Sequence, residues 1–246
     1  MTVDGAALHG TRILLVGGTS GLGLAVAQAA AARGAAPIVA SRSRANVDRA
    51  LATLPDTAEG TTVDLADPGS VERLVEFAGP IDHLVYTAGG PLRLTMLADL
   101  TPEIARNFWE TRYLGALGVV RAVSVADALR PGGSVVLTGG NASQRPGPGW
   151  SLGASVCGAM EALTRQLALE LAPIRVNLVA PGVTRSPLWA GMSGDEEQAM
   201  YDDLAATLPV RRVGEPSDVA LAYLYAMEQP MATGTSILVD GGAVLV

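Results

Sequence analysis

The chain has 246 residues, a length that suits one α/β domain, with 49% hydrophobic and only 17% charged residues, which excludes a disordered chain. Its 24 acidic residues outnumber its 17 basic ones, and a net charge of -7 excludes a phosphate-tracking nucleic-acid binder. One cysteine, Cys157, and two histidines, His9 and His83, exclude an intramolecular disulfide and a cysteine or multi-histidine metal cluster.

The segment Met1 to Gly10 carries an acid and no basic cluster, so no secretory signal is expected there. Residues 13–32 are uncharged and long enough on paper to cross a bilayer. Gly17, Gly18, Gly21 and Gly23 interrupt them, however, and a strand, a turn and a helix explain the same letters better. A cytoplasmic protein without membrane contact is therefore expected. Apolar, β-rich runs follow at 13–17, 37–41, 61–65, 82–89, 133–140, 174–182 and 235–242. Helical stretches separate them at 21–33, 68–77, 102–129, 151–171 and 216–228. Strands alternating with helices predict right-handed crossovers and a parallel sheet covered on both faces. The fold class expected is thus an α/β, Rossmann-type doubly wound sheet of seven strands, one domain over 1–246. The stretch 185–212 reads as irregular and is expected to form a lid over the carboxyl ends of the strands.

The first strand ends in Gly17-Gly18-Thr19-Ser20-Gly21-Leu22-Gly23 and runs straight into a helix. Glycines in that context let the backbone turn tightly and approach a pyrophosphate seated on free helix N–H groups. The alternative is a glycine turn that holds nothing. The second strand ends in Ser41-Arg42-Ser43-Arg44, without the acid that would take ribose hydroxyls. A hydroxyl and a guanidinium there suit a 2′-phosphate, so NADP(H) is expected over NAD(H). The alternative is that Arg42 and Arg44 are solvated surface charges.

These motifs, with Asp64-Leu65, Thr87-Ala88-Gly89, Arg175-Val176-Asn177, Pro181-Gly182 and Val239-Asp240-Gly241-Gly242, resemble the short-chain dehydrogenase/reductase family, in its single-domain, glycine-motif branch. The resemblance spans nearly the whole chain. It implies that Asp64 accepts from the adenine amino group and that Leu65 touches the ring through its backbone. It places Ala88 and Gly89 against the adenosine ribose and Pro181, Gly182, Thr184 and Ser186 against the nicotinamide, with Leu22 and Thr111 among the cofactor contacts. For Asp64, a helix cap ahead of Pro68 is the alternative. Tyr86 is expected to pack near the adenosine end. The resemblance also implies a homotetramer or homodimer, paired through the small residues of 151–171 and through 102–129, with the apolar tail 243–246 in a second interface.

The family's chemistry uses an Asn, a Ser, and a Tyr and Lys four residues apart. Registered on the flank Gly158 to Thr164, Cys157 stands at the Lys position, Gly153 at the Tyr position and Gly140 at the Ser position, while Arg112 replaces the Asn. The chain contains no lysine, and no tyrosine lies between Tyr113 and Tyr201. Arg112 is expected to restore the missing positive charge; a structural salt bridge to Glu110 or to an acid of a second subunit is the alternative. Asn141 and Ser143 are expected to hydrogen-bond substrate or else to cap backbone. Cys157 is expected to be packing. Trp150, Trp189 and Tyr201 are the expected substrate walls, and the apolar lid suggests a small hydrophobic substrate. Three functions follow: an NADP(H)-dependent reductase of a carbonyl, enone or iminium; a non-redox cyclase or isomerase; or a nucleotide-binding protein without catalysis.

Overall fold

The computed structural model describes residues 8–246; the expectation about a signal segment falls largely on residues 1–7, outside the described part. Seven parallel strands form one sheet: β1 Arg12–Val16, β2 Ala36–Ser41, β3 Glu59–Thr62, β4 Ile81–Tyr86, β5 Leu129–Thr138, β6 Arg175–Pro181 and β7 Ser236–Val239. Their order is β3-β2-β1-β4-β5-β6-β7. Eight α-helices connect them: α1 Gly21–Ala31, α2 Arg44–Leu51, α3 Pro68–Ala78, α4 Pro102–Trp109, α5 Gly115–Val125, α6 Ser151–Glu170, α7 Gly194–Thr207 and α8 Pro216–Glu228. This is the doubly wound α/β architecture expected from the alternation of strands and helices. Among the described residues no helix is long and apolar enough to cross a membrane.

The inner strands β1, β2, β4 and β6 and the second half of β5 are mostly apolar because both faces are covered. Successive side chains point to opposite faces. Leu14, Val16, Leu84, Tyr86, Val135 and Leu137 join one core with Leu74 of α3, Val119 of α5 and Met160 of α6. Ile13, Leu15, Val39, Val85, Val136 and Val179 join the other with Val26 of α1 and Val219, Tyr223 and Leu224 of α8. Both cores are built mainly from Ala, Val and Leu, as a chain with 4% aromatic residues requires.

Three elements differ from the sequence reading. Helix α2 was not anticipated; Ser43 caps it, accepting a hydrogen bond from the Asn46 backbone N–H. The stretch 102–129 is not one helix. It runs as α4, a π turn over Glu110–Leu114, and α5, and Leu129 already belongs to β5. The stretch 185–212 is not irregular throughout: it contains α7, started by a capping box in which Ser193 and Glu196 satisfy each other's backbone N–H groups.

His83 lies inside the sheet, with Nδ1 2.9 Å from Ser134 Oγ. Burial first, and then the charge of Arg175, pull its pKa down to about 4, against the opposing pull of Asp82. The folded state therefore refuses a proton that the unfolded chain binds below its ordinary value of 6.5. Stability should fall by about 2–3 kcal/mol from this group alone as the pH drops from 6.5 to 4. Urea unfolding at both ends of that window should show a shallower pH dependence for His83→Gln than for the wild type. Identical pH dependence in the two proteins would remove His83 from the account.

Candidate functional site

A cavity of about 1310 Å³ lies along the carboxyl ends of β1, β2, β4, β5 and β6, with residues from every one of those ends in its wall. This is where a doubly wound sheet opens a crevice, because chain connections leave β1 and β4 in opposite directions. The volume exceeds the roughly 300–1,000 Å³ of a pocket for one small ligand.

The glycine motif forms one rim. Gly17 has φ +90°, and a Cβ there would come 2.6 Å from the Ala88 backbone N. A Cβ on Gly23 would come 2.3 Å from Gly17 O and 2.4 Å from Thr87 Oγ1. These two glycines are thus required by the close approach of the first turn to the end of β4. Ser20 precedes α1 with no side-chain cap, and no acid occupies the first turn. Thr19, Ser20, Gly21, Leu22 and Gly23 all line the cavity, beside the positive end of the helix dipole.

Further along, Ser41 and Arg42 line the cavity. Ser43 does not; its hydroxyl is the α2 cap, and Asn46 reaches the cavity in its stead. Arg44 pairs with Asp48, whereas Arg42 has no ion pair among the described residues. Asp64 and Leu65 also line the wall. The Asp64 carboxylate accepts from Ala66 N at 3.0 Å, and the cap of α3 is Asp67, not Asp64.

Ala88, Gly89 and Thr111 follow on the wall. Tyr86 is buried, and its hydroxyl donates to the carbonyl of Thr111. That contact explains the π turn. The Gly115 N–H bonds Glu110 O, five residues back, so the turn holds one residue more than an α-turn. A Cβ on Gly115 would lie 2.6 Å from Tyr86 Oη. Gly115 leaves room for the phenol, and the phenol takes the Thr111 carbonyl.

The widened turn presents Arg112 to the cavity. Its Nη2 donates to Gly90 O at 2.5 Å, and its guanidinium carbon sits 4.0 Å over the Phe108 ring. No carboxylate pairs with it among the described residues, so the salt bridge considered from the sequence is not formed within this chain. Burial lowers the Arg112 pKa, but the group stays cationic near neutral pH. Burial pushes the Tyr86 phenol well above its ordinary range, so Tyr86 is no acid at neutral pH.

The opposite wall comes from the segment between β5 and α6. Asn141 lines the cavity and donates through Nδ2 to Asp240 Oδ2 at 3.3 Å. Ser143 does not line it; its hydroxyl donates to Glu161 Oε1 at 2.6 Å. Cys157 faces the cavity, with burial pushing its thiol up to about 11. A Cβ on Gly140 would lie 3.1 Å from Cys157 Sγ. Trp150 lines the cavity beside Gly153.

Pro181, Gly182, Thr184 and Ser186 lead from β6 into the segment that carries α7, and all four line the cavity. Leu92 N donates to Leu188 O at 2.7 Å, tying the loop after β4 to this segment. Trp189 lines the cavity, yet is buried, with Nε1 donating to Thr184 O at 3.0 Å. Tyr201 does not line it. The phenol packs under the Arg185 guanidinium at 4.2 Å and donates to Glu197 Oε1 at 2.6 Å. Burial and then Glu197 raise its pKa to about 12. Leu204 and Leu208, one and two turns further on, take the wall position expected of Tyr201. The tail also contributes, through Ala243, Val244 and Val246. Neither Asn46 nor this tail carried a motif that the sequence reading could have used.

The chain matches the family model described as enoyl-(acyl carrier protein) reductase over residues 16–244. It is 33% identical over 253 residues to the short-chain dehydrogenase/reductase malC of Malbranchea aurantiaca, covering 97% of this chain and 96% of that protein. The chain belongs to the short-chain dehydrogenase/reductase family. Two solved structures extend the match. The MalC reductase/Diels-Alderase from Malbranchea aurantiaca superposes with a TM-score of 0.91 at 30% identity, covering 98% of this chain and 99% of that one. A small-chain dehydrogenase in complex with NADPH superposes with a TM-score of 0.81 at 33% identity, covering 96% and 100%. At two glycines of the cavity wall the space for a side chain is taken by neighbours, Cys157 at Gly140 and Trp150 at Gly153.

The fit of Tyr86 against Gly115 is directly testable. Gly115→Ala should destabilise the protein by about 1–3 kcal/mol, the scale of overpacking. In a Tyr86→Phe background, which removes the crowded oxygen, the same change should cost clearly less. Additive effects in chemical denaturation would show that the two residues do not press on one another.

Proposed function

We propose that this short-chain dehydrogenase/reductase is an NADP(H)-dependent reductase of a small hydrophobic carbonyl compound or conjugated enone, with Arg112 in place of a tyrosine–lysine pair. The observation that carries the reading is the unpaired guanidinium facing the cavity. The residues present fit the dinucleotide: a glycine rim without side chains, uncapped helix N–H groups, and a free arginine where β2 ends. Asp64 and Leu65 would hold the adenine, and Ser41 and Arg42 the 2′-phosphate. Thr19, Ser20, Gly21 and Leu22 would hold the pyrophosphate, Ala88, Gly89 and Thr111 the riboses, and Pro181, Gly182, Thr184 and Ser186 the nicotinamide. Ser43, occupied as a helix cap, drops out of this set. Bound there, NADPH supplies the hydride.

Arg112 stabilises the negative charge that grows on the acceptor oxygen, and as a cation that does not release its proton it leaves protonation to water. The same charge disfavours the iminium considered from the sequence, because a cationic acceptor would sit beside a cation. Asn141, steadied by Asp240, offers the substrate its amide. Ser143, engaged by Glu161, serves as structure and not as a substrate contact. The segment 185–212 acts as a lid, held at its base by the Thr184–Gly214 bridge and the Arg185–Glu215 pair at 3.3 Å. A homo-oligomer, tetramer or dimer, is supported by the exposed apolar side chains Leu221, Tyr225, Leu238 and Leu245 and by the open space beside Gly158 on α6.

A second reading is a pericyclic or other non-redox reaction in the same cavity. It is favoured by the fold match to a protein described as a reductase/Diels-Alderase and by the lack of a side-chain acid at the Tyr position. A guanidinium bound to a carbonyl oxygen would lower the barrier of such a ring closure as well.

Two substitutions separate the parts. Arg42→Ala should weaken NADPH binding by roughly 1–3 kcal/mol and leave NADH binding nearly unchanged; equal affinity of the wild type for both dinucleotides in calorimetry would sink the assignment of the 2′-phosphate site. Arg112→Met should lower turnover of NADPH with ketones and enones by roughly 10²–10³-fold at nearly unchanged NADPH affinity. A wild type that binds NADPH and reduces no member of such a panel would instead favour the non-redox reading.

A further inference from the structure

Trp150 sits at the head of α6 in a slot made by two glycines, one three residues before it and one three residues after it. A Cβ on Gly147 would come 3.2 Å from the indole Cδ1, and a Cβ on Gly153 would come 2.9 Å from Cε3. The indole thus lies close against both glycines: Gly153 leaves no room for a Cβ while the ring stays, and a Cβ on Gly147 would be tight. Trp189 stands behind it edge-on, with ring centroids 6.4 Å apart at 74°. Trp189 is fixed, since it is buried and its N–H is engaged by Thr184 O. The Trp150 N–H is not engaged: it meets no acceptor among the described residues. No buried side-chain nitrogen or oxygen there lacks a partner, so this N–H is open. The result is a buttressed indole in the cavity wall with an unused N–H donor.

We propose that Trp150 selects the acceptor of the reaction proposed above: a flat, arene-fused carbonyl compound laid against the indole, in preference to its saturated counterpart. The inference rests on that reading for the identity of the acceptor. Ring-on-ring contact is worth about two- to tenfold in affinity beyond the area it covers. A wedged indole loses little freedom on binding, so that gain is not spent on ordering the wall. Leu92, Val156 and Leu188, which also line the cavity, are aliphatic and do not distinguish a flat ring from a puckered one, and the aromatic neighbour Trp189 is buried.

The test compares 2-tetralone, a benzo-fused ketone, with 2-decalone, its saturated analogue. Binding is read by calorimetry with and without NADPH, so no turnover is needed. The wild type should bind 2-tetralone about two- to tenfold more tightly than 2-decalone. Trp150→Leu should lose that preference while keeping its NADPH affinity, and Trp150→Phe should keep part of it. In the wild type, a nuclear Overhauser contact should join the tetralone arene protons to the Trp150 indole, a readout that does not depend on how any variant folds. Equal binding of the two ketones, binding of neither at millimolar concentration, a preference that survives in Trp150→Leu, or the absence of that contact would each overturn the proposal. Tight, selective binding of 2-tetralone by a wild type that reduces neither it nor any other ketone or enone of the panel would overturn the reductase reading and leave the Trp150 preference standing.

Discussion

The hydrogen bond from the buried Tyr86 hydroxyl to the Thr111 carbonyl organises the chemical end of the cavity. It crosses from the end of β4 to the helix that borders the cofactor crevice, and it takes a carbonyl that an α-helix would have used itself. A buried phenol without an acceptor would cost about 1–3 kcal/mol, so the contact is not optional once Tyr86 is inside. The helix responds with one extra residue in a turn, Gly115 clears the space, and Arg112 is turned toward the cavity. Tyr86 is fixed in its own right: Thr138 Oγ1 donates to its backbone oxygen at 2.6 Å and lies 2.6 Å from the Tyr223 hydroxyl. The arginine is thereby referenced to the middle of the sheet and not to a loop.

The replacements around it form a consistent set. A guanidinium left alone in a half-buried wall is costly, and here it is held by Gly90 O and the face of Phe108 instead of by a carboxylate. A carboxylate would have neutralised the charge that the site presents. Across the cavity, the glycines at 140 and 153 do not leave holes. Cys157 and Trp150 fill those volumes, and the thiol, pushed up to about 11, stays neutral beside the arginine. Restoring a tyrosine at 153 alone would drive it into an indole. The wall on this side is thus packed with side chains and holds no void at either glycine.

Much of this was legible in the sequence, for identifiable reasons. The inner strands announced themselves because a strand buried on both faces needs an apolar run, while the edge strands β3 and β7 are short and partly exposed. The glycine rim could be read because only Gly17 and Gly23 tolerate the backbone approach there. The absence of lysine from the chain could be read directly, and the expectation of an altered active site rests on it. What could not be read was tertiary. The Ser43 cap is local and went unread only because helix α2 was not anticipated, but nothing local tells that Ser143 turns to Glu161, or that Tyr201 packs under Arg185 while Leu204 and Leu208 reach the cavity. The π turn was hidden for the same reason, since the residue that causes it lies 25 positions away on another strand. Helix α7 was missed because an acidic, capped helix with few apolar positions has a weak periodic signal.

In the proposed function Arg112 acts on the acceptor and Tyr86 holds it there. Single-turnover hydride transfer from NADPH, followed by stopped-flow absorbance in wild type, Tyr86→Phe, Arg112→Met and the double variant, tests it most directly. Tyr86→Phe should slow the step with NADPH affinity unchanged and slow it no further once Arg112 is gone, because both changes remove one interaction. Independent, multiplying losses in the double variant, or full speed in Tyr86→Phe, would contradict it.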